Sequence, residues 1–150
     1  MFKKILVPLD GSEPSEAGVE LAVKLAAESG SEVLFCHIVD AAQAASRLYP
    51  GVDPSFVRNA GRDVGQAMVG EAESRATRAG VRNSGVVVEG LRLDAILDLA
   101  KQHEVDLIVM GSHGRSGIAR AFLGSTTEGI LRHTPVPVLV AAHVRVPAAV

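Results

Sequence analysis

The amino-acid sequence predicts an α/β fold: a doubly wound, five-stranded parallel sheet with helices on both faces, in one domain spanning 1–150. Three observations carry that prediction. Short, uniformly apolar runs recur along the 150 residues, and such runs mark strands covered on both faces. Between them lie stretches whose apolar residues follow helical spacing. The alternation leaves almost no chain over, as expected of βαβ crossovers feeding a parallel sheet.

The first run, Ile5-Leu6-Val7-Pro8-Leu9, is ended by Asp10-Gly11-Ser12. A helix is expected from Ser12 to Glu28, where Ala17, Leu21 and Leu25 separate from Lys24 and Glu28. Ser12 can cap its free N–H groups, Glu13 and Glu16 suit its positive end, and Pro14 is tolerated in the first turn. Gly30 can end it. Val33 to Val39 reads as the second strand. Ala41 to Arg62 has weak periodicity and the turn signals Tyr49-Pro50-Gly51 and Asp53-Pro54, so an irregular segment is expected, serving as a lid or partner surface.

A helix from Val64 to Arg78 follows, closed by Gly80, and then a β-branched strand from Val86 to Glu89. Leu93, Ile96, Leu97 and Ala100 form one helical face, and Asp106 to Met110 is the fourth strand. A glycine-punctuated loop, a helix from Ser125 to His133 and a last strand from Val136 to Ala142 complete five strands and four helices. Pro135 and Pro137 lack donors, as the start of an edge strand tolerates.

Composition narrows the function classes. With 47% hydrophobic and 21% charged residues the chain is not of the disordered type. A net charge of −2 offers no basic surplus for nucleic acid or an anionic membrane. Cys36 lies within an apolar strand and reads as inert core. Met1-Phe2-Lys3-Lys4 resembles a secretory start, but Asp10 stops the apolar run short of the roughly 7–15 residues export requires. No stretch approaches the ~18–20 apolar residues that span a bilayer. A soluble, cytoplasmic protein is expected.

Ligands of open parallel sheets settle outside the carboxyl ends of the strands, where chain order reverses. Two unusual loops leave such ends. One is Pro8-Leu9-Asp10-Gly11-Ser12; the other runs Met110-Gly111-Ser112-His113-Gly114-Arg115-Ser116-Gly117 and leads to Leu123-Gly124-Ser125-Thr126-Thr127. Glycines at 111, 114, 117 and 124 permit positive φ and close approach to backbone N–H groups. Gly124 to Thr127 opens a helix, whose free N–H groups and dipole attract anions. Hydroxyls at Ser125, Thr126 and Thr127 add donors, and Arg115 a charge: a phosphate cradle in outline.

A second reading fits the same residues, with glycines that only mark turns and a capping box formed by Ser125-Thr126-Thr127-Glu128. Asp10 likewise fits a site carboxylate or a turn residue. His113 and Arg115 fit phosphate partners or solvated loop side chains. The Walker and G-x-G-x-x-G fingerprints are absent. His37, His103, His133 and His143 are scattered without metal-site spacing, and no serine–histidine–acid set is visible. Phosphoryl transfer also needs a positioned water or acceptor, which no residue evidently supplies, so hydrolysis is expected to be slow or absent.

The spacing Gly111-x-x-Gly114-(nine residues)-Gly124-Ser125 resembles the ATP-binding signature of the universal stress protein family. Ile5 to Ser12 looks like that family's opening strand. Asp106 to Gly114 and Pro135 to Val140 look like its fourth and closing strands. The resemblance implies strand order 3-2-1-4-5, with ATP bound across the ends of the first and fourth strands. It implies that Asp10, next to Pro8, hydrogen-bonds the ribose or lies close to a metal-bound phosphate, an indirect magnesium contact. Val39 would meet the adenine, with Met110 packing nearby. Gly111, Gly114, Gly124, Ser125 and Thr126 would hold the phosphates. The family also implies a homodimer through the last strand, Val136 to Ala142. An ATP-binding, stress-response regulatory protein is therefore expected. The alternatives are a nucleotide-independent interaction module of the same fold, or a slow ATPase.

Overall fold

Strands that are apolar on both faces must be covered on both, and the chain meets that demand with helices above and below one sheet. The computed structural model describes residues 1–48, 50–112 and 123–142. Its elements run β1 (Lys4–Pro8), α1 (Glu13–Ser29), β2 (Glu32–Val39), α2 (Ala41–Leu48), α3 (Pro54–Arg78), β3 (Asn83–Glu89), α4 (Arg92–Gln102), β4 (Leu107–Gly111), α5 (Ser125–His133) and β5 (Val138–Ala141). All pairings are parallel and the order is β3-β2-β1-β4-β5, the expected arrangement.

The pleat divides each strand between two cores. Ile5, Val7, Phe35 and Val109 pack with Val19, Ala22, Val69 and Ala72 of α1 and α3. Leu6, Leu34, Ile38 and Ile108 pack with Ile96 and Leu99 of α4 and Ile130 of α5. The order reverses at β1, whose two neighbours send their crossovers to opposite faces. A crevice is left there at the carboxyl edge.

Local chemistry explains the boundaries. Ser12 caps α1 by accepting from the Ser15 amide at 3.2 Å, and Gly30 ends the helix with φ 74°, a left-handed conformation. Both features follow the expectation.

Ala41 to Arg62 does not. The segment forms α2 and the opening of α3, which starts at Pro54 rather than Val64, giving five helices among the described residues. The signals read as turns are caps. Asp40 accepts from the Gln43 amide at 3.0 Å, and Asp53 from the Ser55 amide at 2.9 Å with Pro54 in the first turn. The Ser55 amide and hydroxyl hold the Asp53 carboxyl below its ordinary range. Phe56, Ala60 and Val64 do stand at helical spacing, but Val52, Phe56 and Val64 are exposed and not packed into a core.

The outer strands also differ from expectation. β3 begins at Asn83, paired with Val33, rather than at Val86. Gly85, in that extension, lies directly beneath Val69 and Glu73 of α3, where a side chain would collide. β5 begins at Val138 rather than Val136. Pro137 has no N–H to add to the ladder, although its carbonyl accepts from Ile108 at 2.9 Å. No described helix is long and apolar enough to cross a membrane.

Cys36 is fully buried in β2, and desolvation pushes its thiol up to about 12. Attack on alkylating reagents requires the thiolate. At pH 8 the native protein is expected to resist iodoacetamide for hours while the urea-unfolded chain alkylates in minutes. Intact-mass spectrometry reads both. Stability should also decline as pH rises above about 9, because the unfolded thiol ionises there and the folded one does not.

Candidate functional site

α3 is longer than the sheet it covers. Its 25 residues extend about 37 Å at 1.5 Å per residue, against roughly 26 Å for the eight residues of β2. Gly61 and Gly65 let it ride directly on β2: a Cβ at Gly61 would lie 2.8 Å from Val39 Cγ1, and one at Gly65 2.6 Å from His37 Cδ2. The first turns of α3, with α2 beside them, thereby overhang the carboxyl edge and wall one side of the crevice.

The resulting cleft holds about 770 Å³, within the range of small-molecule sites. Pro8, Asp10, Val39, Met110, Gly111, Gly124, Ser125 and Thr126 all line it. Residues from three strand ends and one helix start, far apart in sequence, are thus brought together. His113, Gly114 and Arg115 lie outside the described residues.

Asp10 serves as a turn residue and also stands in the cleft. Its Oδ1 accepts from the Ser12 amide at 2.9 Å and the Ser12 hydroxyl at 2.5 Å, building the cap of α1. Val39 is more constrained than the resemblance implies: its carbonyl already accepts from Gly90 at 3.2 Å, and its side chain lies beneath Gly61.

At the start of α5 the capping box does not form. Gly124 is the N-cap, with no side-chain cap, and Glu128 turns forward to Arg132 at 2.7 Å. The first intrahelical donor is the Glu128 amide, to Gly124 at 2.9 Å. The amides of Ser125, Thr126 and Thr127 precede it at the positive end of the helix. Thr127 corrects the sequence reading. Its buried hydroxyl donates to the Gly111 carbonyl at 3.0 Å, which ties α5 to β4 and leaves Ser125 and Thr126 as the available hydroxyls.

Gly111 needs its missing side chain more than a special φ. A Cβ there would land on the backbone carbonyl of Pro14, in the first turn of α1. Neither Gly111 nor Gly124 has a positive φ.

Sequence reasoning missed three contributors. His37, read as one scattered histidine, donates from Nδ1 to the Leu9 carbonyl at 2.8 Å and lines the cleft. Arg92 lines it from α4, and Val52, Phe56, Val57 and Ala60 furnish an apolar wall. No local motif announces any of these, since crossovers bring them there. Among the described residues, no three metal-ligating side chains converge.

Comparison with known proteins agrees with this geometry. The profile of the universal stress protein family matches residues 1–142. The chain belongs to the universal stress protein family. Universal stress protein YxiE of Bacillus subtilis is 32% identical over 146 residues, covering 93% of this chain and 99% of YxiE. The solved structure of MJ0577, a universal stress protein of Methanocaldococcus jannaschii, superposes with a TM-score of 0.85 at 26% identity, covering 97% of this chain and 99% of that one. A universal stress protein solved in complex with cAMP superposes with a TM-score of 0.67 at 27% identity, covering 94% and 97%. Members of the family thus bind adenine nucleotides.

Gly111→Ala is expected to destabilise the protein by about 1–3 kcal/mol, because the added methyl meets backbone that cannot rotate aside. Urea denaturation checks this; an unchanged midpoint would show that α1 and β4 can part at no cost.

Proposed function

We propose that this universal stress protein binds an adenine nucleotide, ATP foremost, in the carboxyl-edge cleft and acts as a nucleotide-dependent regulator with slow or no hydrolysis. One observation carries the reading: eight residues of the expected ATP site, from Pro8 to Thr126, line a single cleft, with the uncapped start of α5 at its rim. The cAMP complex of a relative supports the ligand class.

In this reading the base lies toward Val39, against the apolar wall of α3, where Phe56 is 69% exposed and available to pack on it. Asp10 accepts from ribose hydroxyls. The Ser125 and Thr126 amides and hydroxyls donate to phosphate oxygens. Met110 and Gly111 close the floor.

A magnesium ion, if carried in with the nucleotide, would neutralise phosphate charge. It takes few protein ligands, so Asp10 would serve it indirectly. The expectation of slow turnover is in keeping with how one oxygen of each cleft carboxylate is used. Asp10 and Asp40 each direct Oδ1 to an amide at the start of a helix, which is a structural duty.

Isothermal titration with ATP, ADP, AMP and cAMP tests the proposal, with mass spectrometry of the protein as purified. Saturable binding is expected, weakened at least about tenfold by Gly124→Val, whose side chain would shield the α5 amides. A protein that takes up none of the four nucleotides would remove the reading.

The same reading extends to a homodimer. β5 ends the sheet with one strand neighbour, and Leu139 on it is 38% exposed. Light scattering at micromolar concentration should return twice the mass of one chain, and Leu139→Lys should halve it. A monomeric mass for the unaltered protein would rule the dimer out.

A further inference from the structure

The charge balance of the cleft is uneven. Its described carboxylates are Asp10 and Asp40, and Arg92 is the one arginine or lysine among the described residues that line it. Arg92 is half-buried in the first turn of α4 and makes no hydrogen bond or ion pair with any described residue. Glu89, three residues earlier, is not available to it. Two guanidinium groups from α3 already hold that carboxylate, Arg58 at 3.1 Å and Arg62 at 2.8 Å.

Two contacts fix where Arg92 stands. The Gly90 amide donates to Val39 at 3.2 Å, which anchors the chain just before α4 to the carboxyl end of β2. One residue beyond Arg92, Leu93 packs on α5: a Cβ at Gly129 would meet Leu93 Cδ2 at 3.1 Å. Arg92 therefore begins a helix tied to the end of β2 and packed on the middle of α5, and it lines the same cleft as Ser125 and Thr126. A half-buried guanidinium with no carboxylate partner among the described residues, in the same cleft as the start of α5, is suited to an anion that both can bind.

We propose that Arg92 is the cationic partner of the ligand's phosphate, acting from the α4 side of the cleft. The assignment rests on the nucleotide reading for the identity of the ligand, but not for the chemistry of the contact. It makes Arg92 a specificity residue for charge: it separates nucleotide from nucleoside, while the apolar wall and Val39 serve both.

The test is calorimetric titration of wild type, Arg92→Gln and Arg92→Lys with adenosine, AMP, ATP and inorganic tripolyphosphate, with thermal melting of each variant. Arg92→Gln is expected to weaken AMP, ATP and tripolyphosphate at least about tenfold and to leave adenosine within about twofold. Arg92→Lys, which keeps the charge and stem, should recover part of the loss. Unchanged affinity for the phosphorylated ligands in Arg92→Gln overturns the assignment. So does an equal loss for adenosine, which would mean packing against the nucleoside. Tripolyphosphate binding that depends on Arg92, with no preference for adenine compounds, retires the nucleotide reading and keeps Arg92 as the anion contact. A wild-type protein that binds neither nucleotides nor tripolyphosphate overturns both.

Discussion

The cleft depends on one close approach, between the first turn of α1 and the last residue of β4. Gly111 carries no side chain, so the Pro14 carbonyl occupies the space a Cβ would take. Its own carbonyl accepts the Thr127 hydroxyl, drawing the start of α5 to the same point. Gly18, on α1, approaches the Met110–Gly111 backbone with similar closeness, its Cβ position lying 3.3 Å from the Gly111 amide nitrogen. Three chain segments thereby converge on one residue, and the loops after β1 and β4 become neighbours. A larger residue at 111 would separate the elements whose ends make the site.

The second constraint is a mismatch of lengths. Helices and strands advance at different rates per residue, so a long helix laid on a shorter strand must overhang one end. α3 overhangs at the carboxyl edge because Gly61 and Gly65 seat its middle on Val39 and His37. Its exposed apolar face then has no sheet beneath it. The same feature that places Phe56 in solvent makes it a wall for whatever the cleft holds.

Polar groups around the cleft fall into two kinds. Asp10, Asp40, His37 and Thr127 are bound into the fold, as caps or as ties between elements. Among the described residues, the Ser125, Thr126 and Thr127 amides are in no such bond, and Arg92 has no partner. A half-buried polar group left in that state, as Arg92 is, favours a ligand that completes its hydrogen bonds. Carboxylates engaged in architecture beside donors with no described partner support the proposed anionic ligand.

Much of this was legible in the sequence. Apolar runs such as Ile5 to Leu9 and Val33 to Val39 specify buried strands because no polar face is available. Ser12 and Gly30 specify the ends of α1 because capping is local chemistry. The two loops at strand ends follow from alternation alone. The segment from Ala41 to Arg62 misled for a physical reason: Asp40 and Asp53 cap helices in the guise of turn residues, and the helical face of Phe56, Ala60 and Val64 lines a cleft instead of a core. The choice between a capping box and an open cradle at Ser125 turned on one residue of register at the N-cap, which spacing does not resolve. Arg92, His37 and the α3 wall came only with the tertiary structure. Their proximity to Asp10 and Ser125 arises from crossovers and close helix–sheet contacts, and such long-range placement leaves no trace in local pattern.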